Sequence, residues 1–218
     1  MTSTAFFHPI QVSLLVAISA LIVVLITGLG IGWFMSRNQF KGKTTVETML
    51  ILPLVLPPTV IGFLLIMIFG NQGVVGKLVD QLFGQSVMFT VGAAIIAAIV
   101  VSFPLMYQSV KTGFQSIPND IENAARVDGA NEWKVFRYIS IPLCAKSIVS
   151  GIVLSFARAL GEFGATIMFA GNIPGKTQTV PTAIYVAFES NQMGLAWAWV
   201  IAIVCISFIM LFMIRKNS

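Results

Sequence analysis

Two charged side chains stand where an apolar sequence tolerates charge least. Arg158 and Glu162 are the only charges in an apolar run from about Ser147 to Ala170. Their four-residue spacing puts both on one face of a helix, where they can pair. An unpaired charge at bilayer depth costs about 2.5–3.5 kcal/mol on insertion scales, so the pair should face protein or water. Two readings stay open. Arg158 could lend positive potential to an anion pathway while Glu162 tempers it and prevents tight trapping, or the pair could be structural and fix helix packing.

Other chemistry is excluded more firmly. Gly171-Asn-Ile-Pro-Gly175-Lys176-Thr177 imitates a phosphate-binding loop, but Ala170 occupies the position that requires the first glycine and no strand precedes it. Nucleotide binding by this chain is not expected. His8 is the sole histidine, and Cys144 and Cys205 lie far apart, so no metal centre has its ligands here. No nucleophile with a neighbouring base is visible either, which argues against an intramembrane enzyme.

The elements that must hold these residues follow from composition. The chain is 57% hydrophobic and 10% charged, against about 45–50% and about 25% in a soluble domain. Charges are absent between Met1 and Met35, Thr48 and Gly76, Gln81 and Val110, and Ser190 and Ile214. Each gap exceeds the roughly 20 residues that a helix needs to cross hydrocarbon. With the run containing Arg158, the expectation is an all-α polytopic membrane protein forming a single transmembrane domain over residues 1–218, with spans near 10–35, 48–69, 86–108, 147–170 and 192–214. The first is read as a retained helix, since its apolar run is too long for a signal peptide and its basic flank follows it.

Basic residues set the orientation. Arg37, Lys41, Lys43, Lys111, Arg126, Lys134, Arg137, Lys146, Arg215 and Lys216 fall on one side, whereas the opposite loops hold Lys77 and Lys176. The positive-inside bias therefore places the N-terminus outside and the C-terminus in the cytoplasm. The net charge of +5 needs no nucleic acid, because the cations are spread over three loops and mixed with acids.

Within the spans, Pro53, Pro57 and Pro58 should kink or break the second helix. Carbonyls freed there must be covered by protein or water, so Pro57 and Pro58 are pathway or packing candidates together with Arg158, Glu162 and Gly164. Gly28 and Gly32 form a Gly-x-x-x-Gly pair that invites close approach of a second helix. The cytoplasmic segment 111–146 should hold two short helices. The first follows Pro118, carries Asp120 and Glu122 at its positive end and an apolar face of Ile121, Ala124 and Ala125, and stops at Gly129. The second begins at Asn131 and presents Trp133, Phe136 and Arg137. So short a helix buries too little to stand alone and wants a partner surface.

The segment from Asn123 to Pro142 resembles the EAA loop of ABC importer permeases, matching at Ala124, Ala125, Gly129, Ile139 and Pro142. Asn123 stands where that pattern has Glu, with Glu122 just before it, and Ile141 stands where it has Leu. The stretches from Leu52 to Gly62 and from Phe156 to Pro181 are similar to molybdate permeases of the same family; sulfate and thiosulfate permeases carry a related Arg-Ala-x-Gly-Glu block but are longer by a span.

The resemblance implies a type I importer fold acting as a homodimer, with the pathway between the copies. It implies two copies of a separate ATPase subunit, which uses ATP and Mg, and an extracytoplasmic molybdate-binding protein that the turn around Gly171–Thr177 could touch. It assigns ATPase coupling to Glu122, Asn123, Ala124, Ala125, Arg126, Gly129, Ala130, Trp133 and Phe136. It implies no cofactor on this chain, with sulfate, thiosulfate or tungstate as alternative cargo. A different class, an ion-coupled carrier or channel using Arg158 and Glu162 as a proton-linked pair, would have no need of the EAA-like loop.

Overall fold

The computed structural model describes residues 3–216, and every regular element among them is helical. Helix α1 spans Ser3–Arg37, α2 Lys43–Val55, α3 Pro58–Phe69, α4 Val74–Phe83 and α5 Val91–Gln115. At the far end of α5 follow α6 (Asn119–Val127), α7 (Glu132–Val135), a π-helical turn (Phe136–Ser140) and α8 (Ile141–Leu143). The chain then returns through α9 (Ala145–Leu160), α10 (Gly164–Phe169), α11 (Val180–Glu189) and α12 (Met193–Lys216).

Three helices, in α1, α5 and α12, are each long and apolar enough to cross a bilayer, and the number reaches five if each of two bent pairs crosses once. The first pair is α2 with α3, bent by 116°. Its break has a local cause: Leu56 and Pro57 each precede a proline, which disfavours helical ψ, and both are extended, with ψ of 142° and 138°. Pro58 then opens α3, where its missing N–H costs nothing. The second pair, Glu132–Leu143 with Ala145–Leu160, bends by 73°.

The apolar run 147–170, expected as one helix, is two. It stops at Leu160, turns through Gly161, Glu162 and Phe163, and resumes as α10. The Glu162 carboxylate accepts the Ala165 N–H at 2.7 Å and so supplies the new helix with an N-terminal acceptor. Helices α4 and α11 were not anticipated. A signal for α11 is present in the sequence: Thr179 and Thr182 form a capping box around Pro181.

α5 is the central post. Half of its most apolar window is buried, against 11% for α12. Its Ala93, Ala94, Ala97 and Ala98 are fully buried, letting neighbours approach closely. Gly28 and Gly32 of α1 press on this helix: a Cβ there would lie 2.6 Å from Met106 Cγ and 2.8 Å from Val110 Cγ1. The Gly-x-x-x-Gly pair thus finds its partner in α5. On the other flank, a Cβ on Gly151 of α9 would meet Met106 Sδ at 2.8 Å. At one end of α1, Trp199 of α12 donates its indole N–H to the Phe6 carbonyl at 3.0 Å; at the other, Arg37 meets α6.

Candidate functional site

The loop after α5 is built around one buried carboxylate. Glu122 is 1% exposed, in a helix whose other residues are largely open. One of its oxygens pairs with Arg37 at the end of α1 and accepts the Ser140 hydroxyl at 2.8 Å. The other lies 3.6 Å from Arg126 Nη2. Arg37 also donates to Asn119 Oδ1 at 3.3 Å. Glu122 therefore clasps α6 to α1 and to the π-helical turn, elements far apart in sequence. Charge-assisted bonds of this kind are the strong class, and two guanidinium groups and a hydroxyl around the carboxylate offset its desolvation.

A second staple sits above the first. Arg126 makes a two-pronged contact with Glu132, Nε to Oε1 at 2.7 Å and Nη2 to Oε2 at 3.1 Å, and donates from Nη1 to Asn123 Oδ1 at 2.9 Å. The hydrogen bonds from this guanidinium hold the Glu132 carboxyl below its usual range. Gly129 takes φ of +87° and ends α6: its N–H reaches the Arg126 carbonyl at 3.0 Å and the Ala130 N–H reaches that of Ala125 at 2.9 Å. Asn131 then caps α7 by accepting the Lys134 N–H at 2.9 Å.

These bonds sort the nine coupling candidates. Glu122 turns inward, as does Phe136, whose ring lies 5.2 Å from Trp33 of α1 and 6.1 Å from Phe114 of α5. Ala125, Arg126 and Ala130 are half-buried between the two layers. Asn123, Ala124, Gly129 and Trp133 remain outside, joined by Ile121, Val127 and Tyr138. Val127 at 88% exposure and Tyr138 at 73% make this an apolar face that the described residues leave uncovered. The inward residues hold; the outward ones present.

The membrane candidates also converge. Arg158 donates to Glu162 at 2.5 Å, but across the end of α9 rather than along one helix. Glu162 is 3% exposed, while the Arg158 side chain is 28% open. A Cβ on Gly164 would stand 2.8 Å from Pro58 Cβ, and one on Gly62 3.1 Å from the Ala165 Cα. The break at Pro57–Pro58 thus packs directly on the break at Gly161–Phe163, with the ion pair beside it.

Sequence reasoning missed Arg37, Ser140 and Glu132. In the sequence Arg37 reads only as a topology signal, and nothing in a linear chain pairs it with a residue 85 positions on. Glu132 is more accessible: it follows Asn131 in the first turn of an expected helix and lies six residues from Arg126.

Residues 28–216 match the family described as binding-protein-dependent transport system inner membrane component. YvgM of Bacillus subtilis (strain 168), provisionally named a molybdenum transport system permease protein, is 58% identical over 217 residues, covering 100% of this chain and 96% of that one. The molybdenum transport system permease protein ModB of Haemophilus influenzae is 43% identical over 81% of this chain and 77% of its own. A chain in the crystal structure of a bacterial alginate ABC transporter, in complex with an alginate pentasaccharide-bound periplasmic protein, superposes with a TM-score of 0.80 at 18% identity, covering 99% of this chain and 78% of that one. At that identity the likeness speaks to the fold.

Proposed function

This chain belongs to the binding-protein-dependent transport system inner membrane component family, and we propose that it is the permease subunit through which an ATP-driven importer moves a tetrahedral oxyanion, molybdate, into the cell. It is a multi-pass protein of the cytoplasmic membrane. Its N-terminus lies outside and its C-terminus inside, the orientation that the basic loops favour.

The observation that carries this reading is the clasped helix α6. Glu122 anchors it to α1 and to the turn leading into α9, while Ile121, Ala124, Val127 and Trp133 look outward. A short amphipathic element held rigidly to membrane helices, yet bare on its far side, suits docking into a groove of a soluble motor. Movement of that motor would reach α1 and α9 through hydrogen bonds and ion pairs rather than through a slack loop. The identities to molybdenum permeases supply the cargo.

Such a chain needs a motor. Carrying a dianion into a cell that is negative inside opposes about 2.3 kcal/mol per charge per 100 mV. Two ATPase subunits would bind the α6 faces of two copies of this chain, which alternate between outward and inward access. A binding protein would deliver molybdate on the opposite face; the alginate transporter of the same fold is likewise in complex with a ligand-bound periplasmic protein.

The test is reconstitution of the chain with its co-purifying ATPase and binding protein in vesicles. Molybdate-loaded binding protein is expected to stimulate hydrolysis and uptake, with sulfate ineffective. Stimulation by sulfate and not by molybdate moves the cargo; uptake that persists with α6 deleted and no ATPase attached rejects the importer reading in favour of a carrier.

A further inference from the structure

The face shared by α5 and α9 near their cytoplasmic ends carries a groove that no role described so far uses. Gln108, Ser109 and Thr112 of α5 and Lys146, Ser147 and Ser150 of α9 line a space of ≈ 410 Å³. That volume corresponds to about fourteen waters at roughly 30 Å³ each. Every one of these side chains is polar, and none is acidic. In two largely apolar helices, such a concentration of polar groups with a lysine suits water or another chain better than hydrocarbon.

The groove exists because the helices touch just behind it. A Cβ on Gly113 would lie 2.4 Å from Cys144 Sγ and 2.5 Å from Ser147 Cβ, and one on Gly151 would lie 3.1 Å from Ser109 Cβ. Ser147 faces this contact, with its Oγ 2.7 Å from the same Cβ position on Gly113, and the Ser109 hydroxyl donates to the Leu105 carbonyl at 2.8 Å, which leaves Thr112 and Ser150 as the exposed hydroxyls of the groove. Lys111, one turn from Gln108, is neutralised by Glu47 at 2.6 Å, whereas Lys146 is exposed and makes no ion pair among the described residues. The groove therefore offers the Lys146 ammonium, the Gln108 amide and the exposed hydroxyls of Thr112 and Ser150.

It also leads somewhere. Ser147, Ser150, Leu154, Ala157 and Gly161 recur every three or four residues along one side of α9, and from Ser150 onward this row is exposed. The row begins beside Lys146 and passes beside Arg158, which lie about 18 Å apart along the axis at 1.5 Å per residue, so it connects the groove with the level of that cation. Arg158 is bonded to Glu162; Lys146 has no such partner among the described residues.

We propose that this groove is an exit subsite for the transported oxyanion, where Lys146 and the hydroxyls of Thr112 and Ser150 receive the anion after it passes Arg158 and before release to the cytoplasm. The assignment rests on the importer reading above. Hydroxyl and amide donors with one ammonium suit an anion that must leave: each gives a directional bond, and a single charge does not trap a dianion.

The test uses the reconstituted transporter in phosphatidylcholine vesicles, nucleotide-free, with Ser150→Cys and Thr112→Cys made singly. Anionic sulfonatoethyl and cationic trimethylammonioethyl methanethiosulfonate probe each thiol, and the parent chain sets the background of Cys144 and Cys205. Both cysteines should react from the ATPase side, the anionic reagent should be favoured, and molybdate should slow it. Lys146→Gln should cut that preference by about fivefold, and Lys146→Arg should keep it. Thiols inert to both reagents in a transporter whose parent responds to molybdate overturn the subsite and leave the importer intact. Labelling indifferent to molybdate and to Lys146→Gln overturns it too, as does protection that appears only with phosphatidylglycerol, which would assign the groove to a lipid phosphate. A parent that shows no molybdate-stimulated hydrolysis brings down the importer reading instead.

Discussion

Two buried glutamates in this molecule do the same electrostatic work to different mechanical ends. Glu122 and Glu162 each pair with an arginine while their own side chains are only 2% and 1% open. Glu162 finds its partners locally, in Arg158 four residues before and the Ala165 N–H three after. Glu122 gathers Arg37 from α1 and Ser140 from the turn before α9. A local pair can fix the shape of one break and no more. A pair that reaches across 85 positions makes distant helices move together. The Glu122 cluster thus ties α6 to α1 and to the turn before α9, and the Arg158–Glu162 pair sets where α10 begins.

The sharpest way to break this contrast is Arg37→Ala. It leaves the Glu122 carboxylate buried with Ser140 and the more distant Arg126. Removing one member of a buried pair costs about 3–5 kcal/mol, and the 18% exposure of Arg37 with the remaining partners places this case at the lower end. The expected result is the largest drop in thermal midpoint of the solubilised complex, together with hydrolysis that no longer responds to loaded binding protein. Arg37→Lys should recover part of both. A normal midpoint with fully coupled hydrolysis would show that the clasp transmits nothing.

Glu162 comes next, and here two substitutions separate packing from pathway. Glu162→Gln keeps an oxygen for the Ala165 N–H and removes the charge opposite Arg158; Glu162→Ala removes both. Alanine should cost about 1–3 kcal/mol, the penalty of an unsatisfied buried donor, and glutamine less. If glutamine leaves the midpoint intact while uptake changes, Arg158 and Glu162 act on the anion. If uptake and midpoint fall together, the pair is structural.

Much of this arrangement was legible in the chain. Charge-free gaps marked where the helices run, and Pro57 with Pro58 marked a break because two successive pre-proline positions exclude helical ψ. Gly129 and Asn131 announced the stop and the restart around α6, since each performs its capping role within a few residues of itself. What stayed hidden was non-local. The i, i+4 spacing of Arg158 and Glu162 suggested a continuous helix, yet Glu162 is at the start of the next one, because a carboxylate can cap a helix as readily as ride on it. Likewise, Glu122 and Phe136 read as docking residues in the sequence, whereas in the fold Arg37 and Trp33 arrive from α1 to cover them.

Smaller effects refine the picture of the two packed breaks. Gly62→Ala on α3 would set a methyl 2.9 Å from Met168 Cβ and 3.1 Å from the Ala165 backbone, so one of the two segments must shift. Overpacking of this kind should cost about 1–2 kcal/mol. Gly30→Ala, whose Cβ meets nothing within 4 Å, serves as the matched control and should leave the midpoint where it was or raise it slightly. Equal midpoints for the two variants would mean that α3 and α10 are not pressed together.

The weakest expected signal tests the cluster around α6 without mutation. The hydrogen bonds from Arg126 lower the Glu132 carboxyl in the folded protein, so the staple between α6 and α7 binds fewer protons than the open form does. Its contribution is therefore present in full above the ordinary carboxylate range and is lost as pH falls through the folded value. Both partners are partly open, at 34% and 58%, which limits the contribution to about 0.2–1 kcal/mol. Amide exchange, corrected for its intrinsic pH dependence, should show Gly129 and Ala130 losing protection on acidification. Protection at these two amides that stays constant across the carboxylate range would mean that the contact between Arg126 and Glu132 adds nothing to the junction of α6 and α7.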